Sequence, residues 1–217
     1  IGVRLVGSEM CIRDRGIRVL DLSRILAGPH AAQSLSDLGA DVIKVEAPWG
    51  DDSRTWGPPF QKGFDGAEVA SYFLSCNRGK KIVFANLKNE RERVRSLMDT
   101  VDVVIENFKP GAFDRLLGPV NAELIVCSIS GYGQEGPRRD EPAFDLTMQA
   151  RSGIMSVTGE EGGPPAKVGV AWIDVMTGMN AVSSILACLL RRDRGGGGAR
   201  IDLSLIHISE PTRRTPI

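Results

Sequence analysis

The chain has 217 residues and a formal net charge of zero, with 27 lysines and arginines against 27 aspartates and glutamates. A share of 42% hydrophobic residues is typical of a globular protein with a sizeable core. Zero net charge argues against a nucleic-acid binder, which needs a basic surface, and no uncharged apolar stretch approaches the roughly 20 residues of a membrane span. We therefore expect neither nucleic acid nor a membrane among its partners.

The two ends of the chain differ in character from the rest. Residues 5–14 read LVGSEMCIRD and residues 203–212 read LSLIHISEPT, which resemble the translation of a sequencing adapter and of its reverse complement. We therefore predict that 1–15 and 203–217 are adapter-like artefacts, and we base fold and function on 16–202. That middle segment is predicted to be a fragment of a longer protein.

Short apolar runs alternate with amphipathic stretches through the middle segment. Runs rich in Val, Ile and Leu predict strands at 17–22, 41–46, 81–87, 102–106, 124–129 and 199–203. Apolar residues at helical spacing predict helices from Pro29 to Leu38, over 89–101 and over 175–192. Because strands that are apolar throughout suit a parallel sheet covered by helices on both faces, the sequence predicts an α/β fold.

Two glycine-rich stretches interrupt this alternation. Residues 47–66 are rich in Gly and Pro and include Trp49 and Trp56, which predicts a long loop that is functional or disordered. The run from Gly195 to Gly198 follows a predicted helix and precedes a predicted strand. That position favours a flexible connection over a phosphate-binding loop.

The cysteines point to a reducing compartment. Cys11, Cys76, Cys127 and Cys188 are far apart and form no C-x-x-C pair, which argues against a disulfide framework and a structural zinc site. The last three lie in apolar surroundings, so we expect inert buried thiols. The sequence thus predicts a cytoplasmic protein without a bound metal.

A dinucleotide site is the first candidate for chemistry. Gly28 follows the first predicted strand, and Glu46 ends the second, where an acid would bind a ribose. The segment SRILAGP, however, has one glycine where the G-x-G-x-x-G fingerprint needs three. We therefore expect no nicotinamide or flavin site.

Polar and basic residues flank two of the predicted strands. The segment 77–81 reads NRGKK before one strand, and 106–111 reads ENFKPG after the next. Ligands of open parallel sheets bind beyond the carboxyl ends of strands, and Arg and Lys there suit a phosphorylated ligand on which Phe108 could stack. The alternative is a solvated basic turn and a β-turn at Pro110-Gly111.

Asp174 is the best candidate for a reactive carboxylate. It stands between the apolar run VGVAWI and a predicted helix, whose free N–H groups would hold a carboxylate ionised and oriented. Such a carboxylate beside a reactive carbonyl can act as a covalent nucleophile, although an ordinary N-cap explains the same pattern. For His30 we expect a structural role, or one at the edge of a ligand, rather than acid–base catalysis.

Seven motifs occur in an order that resembles one enzyme family. They read GIRVLDLSRILAGPHAAQSLSDLGADVIKVEAP, GDDSRTWGPPF, SYFLSCNRGKKI, DVVIENFKPGAFDRLLG, SISGYGQEGP, FDLTMQARSGIMSVTG and VGVAWIDVMTGM. The segment Gly16 to Asp202 that contains them resembles the class III coenzyme A transferases of the CaiB/BaiF type, the family of formyl-CoA transferase and carnitine CoA-transferase.

The resemblance implies a Rossmann-like parallel sheet flanked by helices, with the second, smaller domain largely missing, and an interlocked homodimer. It implies that Asp174 attacks an acyl-CoA thioester and that CoA moves to an acceptor acid through aspartyl anhydride and aspartyl-CoA thioester intermediates. Acyl-CoA and carboxylic acids would be the substrates, with no metal or NAD. The implied CoA contacts are Ile25, Leu26, Leu74, Ser75, Cys76, Asn77, Arg78, Lys80, Asn107, Phe108 and Arg115.

Two departures from the family pattern leave alternatives open. Relatives that racemise 2-methylacyl-CoA carry a His where Phe144 stands, and Phe cannot exchange a proton at a carbon acid. We therefore expect a transferase rather than a racemase or epimerase. A complete family member is also nearly twice as long as this chain. The other alternative is therefore that the fragment alone is catalytically inactive.

Overall fold

Six parallel strands form the main sheet of the computed structural model, which describes residues 16–63 and 66–209. The strands of the whole fold are β1 (Arg18–Asp21), β2 (Asp41–Glu46), β3 (Phe60–Lys62), β4 (Glu68–Ala70), β5 (Lys81–Phe84), β6 (Val103–Glu106), β7 (Ile125–Ser130) and β8 (Ala199–Ser204). The helices are α1 (Ala27–Asp37), α2 (Ser71–Ser75), α3 (Arg91–Met98), α4 (Ala112–Leu117), α5 (Asp145–Arg151), α6 (Trp172–Arg191) and α7 (Leu205–Ser209). The predicted α/β fold is confirmed.

The sheet has the strand order β5-β2-β1-β6-β7-β8, with every neighbouring pair parallel. The chain builds outward from β1 in one direction and then returns to add β6 on the other side. The carboxyl ends of β1 and β6 therefore border the point at which the strand order reverses. In open α/β sheets that point is where ligands bind.

Two apolar clusters cover the two faces of the sheet. On one face, Val19, Ile105 and Ile125 pack against Leu35 of α1 and Ile185 of α6. All five side chains are buried, which explains why their strands lack the polar alternation of a half-exposed sheet.

On the opposite face, Leu20, Val104 and Val126 pack against Met98 of α3 and Phe113 of α4. Alternate residues of β1 and β6 thus point into different layers, as the period of two in a strand requires. The molecule is a three-layer arrangement of helices, sheet and helices.

The stretch 47–66 is more ordered than the predicted loop. A short 3₁₀ helix spans Asp52–Thr55, and β3 pairs with β4 as an antiparallel hairpin. Asp51 caps the 3₁₀ helix, because its carboxylate accepts the backbone N–H of Ser53 at 3.0 Å. The predicted loop is therefore wrong for Asp52–Thr55 and Phe60–Lys62, whereas the other described residues of the stretch form neither helix nor strand, as predicted.

The chain around 203–209 continues the fold. Strand β8 runs through Ser204 and α7 follows it, and Leu203 and Leu205 are both buried in the first cluster. The prediction that 203–217 is adapter-derived concerns its origin and stays a prediction. The other predicted artefact, 1–15, lies outside the described residues.

Helix α6 lies in a segment with the length and hydrophobicity of a membrane span. Within residues 16–63 and 66–209, the stretch Trp172–Gly196 is the one segment long and apolar enough to cross a membrane. This segment contains Asp174 and Arg191, so it is not an uncharged apolar run. A core helix meets the same criterion, and Ile173, Ala181 and Ile185 of α6 are fully buried in the first cluster.

Candidate active site

A cavity of about 420 Å³ opens at the carboxyl ends of β1 and β6. Its wall brings together Asp174 and four of the predicted CoA contacts, which are Ile25, Leu26, Asn107 and Phe108. These residues come from three segments that are far apart in sequence. The topology joins them because the turns after β1 and β6 and the start of α6 meet at the reversal of the strand order.

Asp174 occupies the first turn of α6 and does not cap it. The helix begins at Trp172, three residues earlier than an N-cap at Asp174 would require. Asp145 of α5 caps it instead, since its Oδ1 accepts the N–H of Ile173 at 2.7 Å and that of Asp174 at 3.2 Å. The predicted N-cap role of Asp174 is therefore wrong, and the capping carboxylate comes from another helix.

The surroundings of Asp174 favour its protonated form. Burial, and then the nearby Asp145 carboxylate, raise the pKa of Asp174 to about 7 from its ordinary value of 3.8. We predicted a carboxylate held ionised by the helix N-terminus, and in this structure burial and the like charge outweigh that effect. A poorly solvated carboxylate is a stronger nucleophile once it ionises.

The turn after β1 contains a strained residue. Ile25 has a φ of 74°, in the left-handed region that β-branched residues avoid at a cost of roughly 1–3 kcal/mol. Asn107, in the turn after β6, binds the backbone of the neighbouring residue Arg24. Its Oδ1 accepts the N–H of Arg24 at 3.1 Å, and its Nδ2 donates to the carbonyl of Arg24 at 2.8 Å.

A buried carboxylate binds the backbone of the turn after β6. The buried Glu106 accepts the backbone N–H of Phe108 at 2.7 Å through Oε2. The half-buried Phe108 side chain packs against the second apolar cluster and also lines the cavity. The predicted stacking of this ring on a base stays a prediction.

The predicted contacts between 74 and 80 lie outside the cavity wall. Lys80 points inward: its Nζ donates at 2.8 Å to Asp21, to Asn77 and to the carbonyl of Pro29, and its side chain is fully buried. The Arg78 guanidinium pairs with Asp37 at 2.5 Å and is more than half exposed. Lys80 thus supports the fold, whereas Arg78 lies at the surface.

The remaining predicted CoA contacts differ in their exposure to solvent. Leu74 and Ser75 are exposed at the end of α2, and Arg115 is exposed on α4. Cys76 is buried with its Sγ 3.7 Å from the carbonyl of Ile25, so it packs beneath the strained turn. Burial raises the pKa of the Cys76 thiol to about 11, which agrees with the predicted inert thiol.

A cluster of buried charges beneath the cavity was not predicted. Lys44 is enclosed in β2, where its Nζ lies 3.2 Å from Asp51, 3.9 Å from Asp21 and 2.8 Å from the carbonyl of Ser23. Glu46 binds Arg54 through both carboxylate oxygens, at 2.7 and 2.8 Å, and is therefore closed to a ribose. The signal in the sequence was a lysine inside the apolar run DVIKVE.

Two further side chains lie near Asp174. Burial, and then the Asp174 carboxylate, raise the pKa of Tyr72 to about 12, and the Tyr72 ring contacts Trp56 with centroids 5.5 Å apart. His30 has its Nδ1 buried without a hydrogen-bond partner among the described residues. Burial lowers its pKa, so it is the neutral imidazole that packs against α6 near Gly178.

Comparisons with known proteins identify the family of the chain. The model of CoA-transferase family III matches residues 15–212. The chain is 48% identical over 203 residues to the succinate–glutarate CoA-transferase of Agrobacterium fabrum, covering 89% of this chain and 51% of that protein. It is 44% identical over 200 residues to the succinyl-CoA:glutarate CoA-transferase of Mus musculus, covering 88% of this chain and 45% of that protein.

A solved structure shows the same fold. The crystal structure of a CAIB/BAIF family protein from Brucella suis superposes with a TM-score of 0.87 at 45% identity, covering 92% of this chain and 55% of that one. The chain spans about half the length of the curated relatives it matches. The family and the fold implied by the sequence motifs are thus confirmed, and the chain belongs to CoA-transferase family III.

Proposed function

We propose that the complete protein transfers CoA between two carboxylic acids, with Asp174 as the nucleophile and dicarboxylates as substrates. The observation that carries this proposal is the shared cavity, whose wall contains Asp174 together with the turns of Ile25 and Asn107. The relatives named above are transferases of succinate or succinyl-CoA and glutarate, which are dicarboxylic acids. Arg24, Lys109 and Arg139 also line the cavity. Arg24 pairs with Asp52 and Arg139 with Asp140, so either arginine would exchange that partner to bind a second carboxylate or a phosphate.

The reaction needs one carboxylate that can be acylated and released. An oxygen of Asp174 attacks the thioester carbonyl, the C–S bond breaks, and CoA leaves as a thiolate with an aspartyl anhydride in its place. The thiolate then attacks the aspartyl carbonyl, which frees the donor acid and gives an aspartyl-CoA thioester. The acceptor carboxylate repeats these two steps in reverse, so that no proton, metal or nucleotide is consumed.

The proposed nucleophile is tested by substitution and by trapping in the complete protein. Asp174→Asn and Asp174→Ala are expected to lower transfer at least 1000-fold while CoA still binds. Asp99→Asn, a change at the end of α3 far from the cavity, is the matched control and should keep full activity. Hydroxylamine added during turnover should label Asp174, as read by mass spectrometry, and undiminished transfer by Asp174→Ala would reject the assignment.

The substrate class and the racemase alternative are tested in the same assay. Succinate and glutarate should be better acceptors than butyrate, which has the same chain length as succinate and lacks the second carboxylate. Phe144 lines the cavity with an exposed ring that cannot exchange protons. We therefore expect no α-hydrogen exchange from deuterated water in the absence of an acceptor acid. Assembly as an interlocked homodimer and a cytoplasmic location stay predictions.

A further inference from the structure

The strained turn at Ile25 depends on a residue that does not line the cavity. The N–H of Ile25 points to the carboxylate of Asp51, at 3.4 Å from Oδ1 and 3.3 Å from Oδ2. Asp51 belongs to the segment that precedes the 3₁₀ helix, 26 residues further along the chain. Asp51 does not line the cavity itself, and it contacts the turn at the backbone of Ile25.

Asp51 is itself held rigidly. Its Oδ1 accepts both the N–H of Ser53 at 3.0 Å and the Ser53 hydroxyl at 2.7 Å, and Lys44 lies 3.2 Å from Oδ2. Its backbone N–H donates to Glu46 at 2.9 Å. The residue is 5% exposed, so its charge is compensated almost wholly by these groups.

The two sides of the turn are thus fixed by different elements. Asn107 binds both backbone groups of Arg24, and Asp51 binds the next N–H along the chain. An isoleucine at a positive φ relaxes to an extended conformation unless surrounding contacts prevent it. Without Asp51, the part of the turn that shares the cavity wall with Asp174 loses its anchor.

We propose that Asp51 is a positioning residue for CoA transfer, whose buried carboxylate holds Ile25 in its strained conformation and thereby shapes the wall of the cavity for acyl-CoA. The inference rests on the function proposed above. It assigns a role to the stretch 47–66, whose glycine and proline content predicted only a loop.

The test measures steady-state kinetics and acyl-CoA affinity in the complete protein. Asp51→Asn is expected to raise KM for acyl-CoA at least tenfold, with kcat changed less than threefold, because α6 and Asp174 keep their places. Asp102→Asn is the matched control: it changes a carboxylate that binds the Arg18 N–H and the Arg192 guanidinium at the amino ends of β1 and β6, away from the cavity wall. It should lower the melting temperature and leave KM within threefold.

An Ile25→Gly background tests whether the effect of Asp51 depends on the strained conformation of Ile25. Glycine adopts a positive φ without penalty, so in an Ile25→Gly protein the effect of Asp51→Asn on KM should fall below threefold. If Asp51→Asn does not fold, Ser53→Ala removes one donor to Asp51 and should raise KM about threefold, again only when Ile25 is present.

Three results would overturn the proposal. They are an unchanged KM in the variants that fold, an equal rise in Asp102→Asn, and an effect of the same size in the Ile25→Gly background. Calorimetry with CoA alone separates this proposal from the function. If the wild-type protein transfers no CoA, the proposed function fails, whereas weaker CoA binding by Asp51→Asn would still support the positioning role.

Discussion

Asp174, the proposed nucleophile, lies in an environment that disfavours its charge. Burial and then the Asp145 carboxylate raise its pKa to about 7. A nucleophilic carboxylate must be ionised to attack. The ionised form of Asp174, which the proposed reaction needs, is therefore the form that the fold disfavours.

The first prediction concerns activity against pH. We expect kcat/KM to fall about tenfold per pH unit below pH 7, because the ionised fraction of Asp174 falls at that rate. Asp145→Asn removes the second cause of the raised pKa and should move the midpoint of the acid limb to lower pH. A rate that stays constant from pH 8 to pH 5 would contradict it.

The second prediction concerns stability against pH. Because the pKa of Asp174 is raised in the folded state, its contribution is fully present below about pH 4 and is lost as pH rises through 7. Asp174→Asn should thus unfold with a free energy similar to that of the wild type at pH 4. At pH 8 it should be more stable, by up to about 4 kcal/mol. Urea unfolding at both pH values measures the difference, and an equal difference at the two would refute it.

The third prediction separates two adjacent lysines. Lys80→Met should destabilise the protein by about 3–5 kcal/mol, because it leaves the buried Asp21 without one of its cations. Lys81→Met is the matched control, since its ammonium is 69% exposed and pairs with Asp41 at the surface. Its cost should stay below about 1 kcal/mol. Similar losses in urea unfolding for the two variants would show that the internal role of Lys80 is mistaken.

At the scale of elements, the position of Asp174 depends on how α1 and α6 cross. A methyl group at Gly178 would lie 2.8 Å from the carbonyl oxygen of Ala27 and 2.8 Å from Nδ1 of His30. The two helix backbones therefore approach closely one turn after Asp174. The motif WIDVMTGM contains both Asp174 and the glycine that permits this contact.

The fourth prediction tests this crossing. Gly178→Ala should destabilise the protein by about 1–3 kcal/mol and lower CoA transfer, since the helices must move apart, even though alanine favours a helix by roughly 1 kcal/mol. Ser183→Ala lies on the exposed side of the same helix and should change stability by less than about 0.5 kcal/mol. Thermal unfolding measures both, and a Gly178→Ala protein more stable than the wild type would show that the crossing is not tight.

At the scale of the whole molecule, the described surface carries many apolar side chains. Trp49 is 75% exposed, Val157 83% and Val170 60%, and the edge strand β5 exposes Phe84. Exposed apolar side chains that form a contiguous patch mark a surface that a partner or another segment covers. The chain also spans about half the length of its curated relatives.

The fifth prediction follows from that surface. The chain expressed alone should bind a hydrophobic dye and self-associate as its concentration rises, whereas the complete protein should do neither. Serine at Phe84 and Val157 should reduce dye binding by the chain alone. Dye fluorescence and analytical ultracentrifugation measure these effects. A monomeric, dye-free and active chain would show that these apolar side chains need no cover.

Local pattern was enough to predict the six strands of the main sheet and the helices α1, α3 and α6, but not the hairpin of β3 and β4. Strands β2 and β6 lie where apolar runs predicted them, because a buried strand needs such a run. The ordered motifs, including WIDVMTGM around Asp174, were likewise sufficient to indicate the family.

What only the tertiary structure decided are the long-range pairings that set charge and strain. Asp145 caps the helix of Asp174 across 29 residues, Asn107 clamps Arg24 across 83, and Asp51 holds Ile25 across 26. Lys80 turned inward because Asp21 and Asn77 surround it there. Periodicity reports which face of an element is apolar, but burial, partners and pKa depend on elements that meet only when the chain folds.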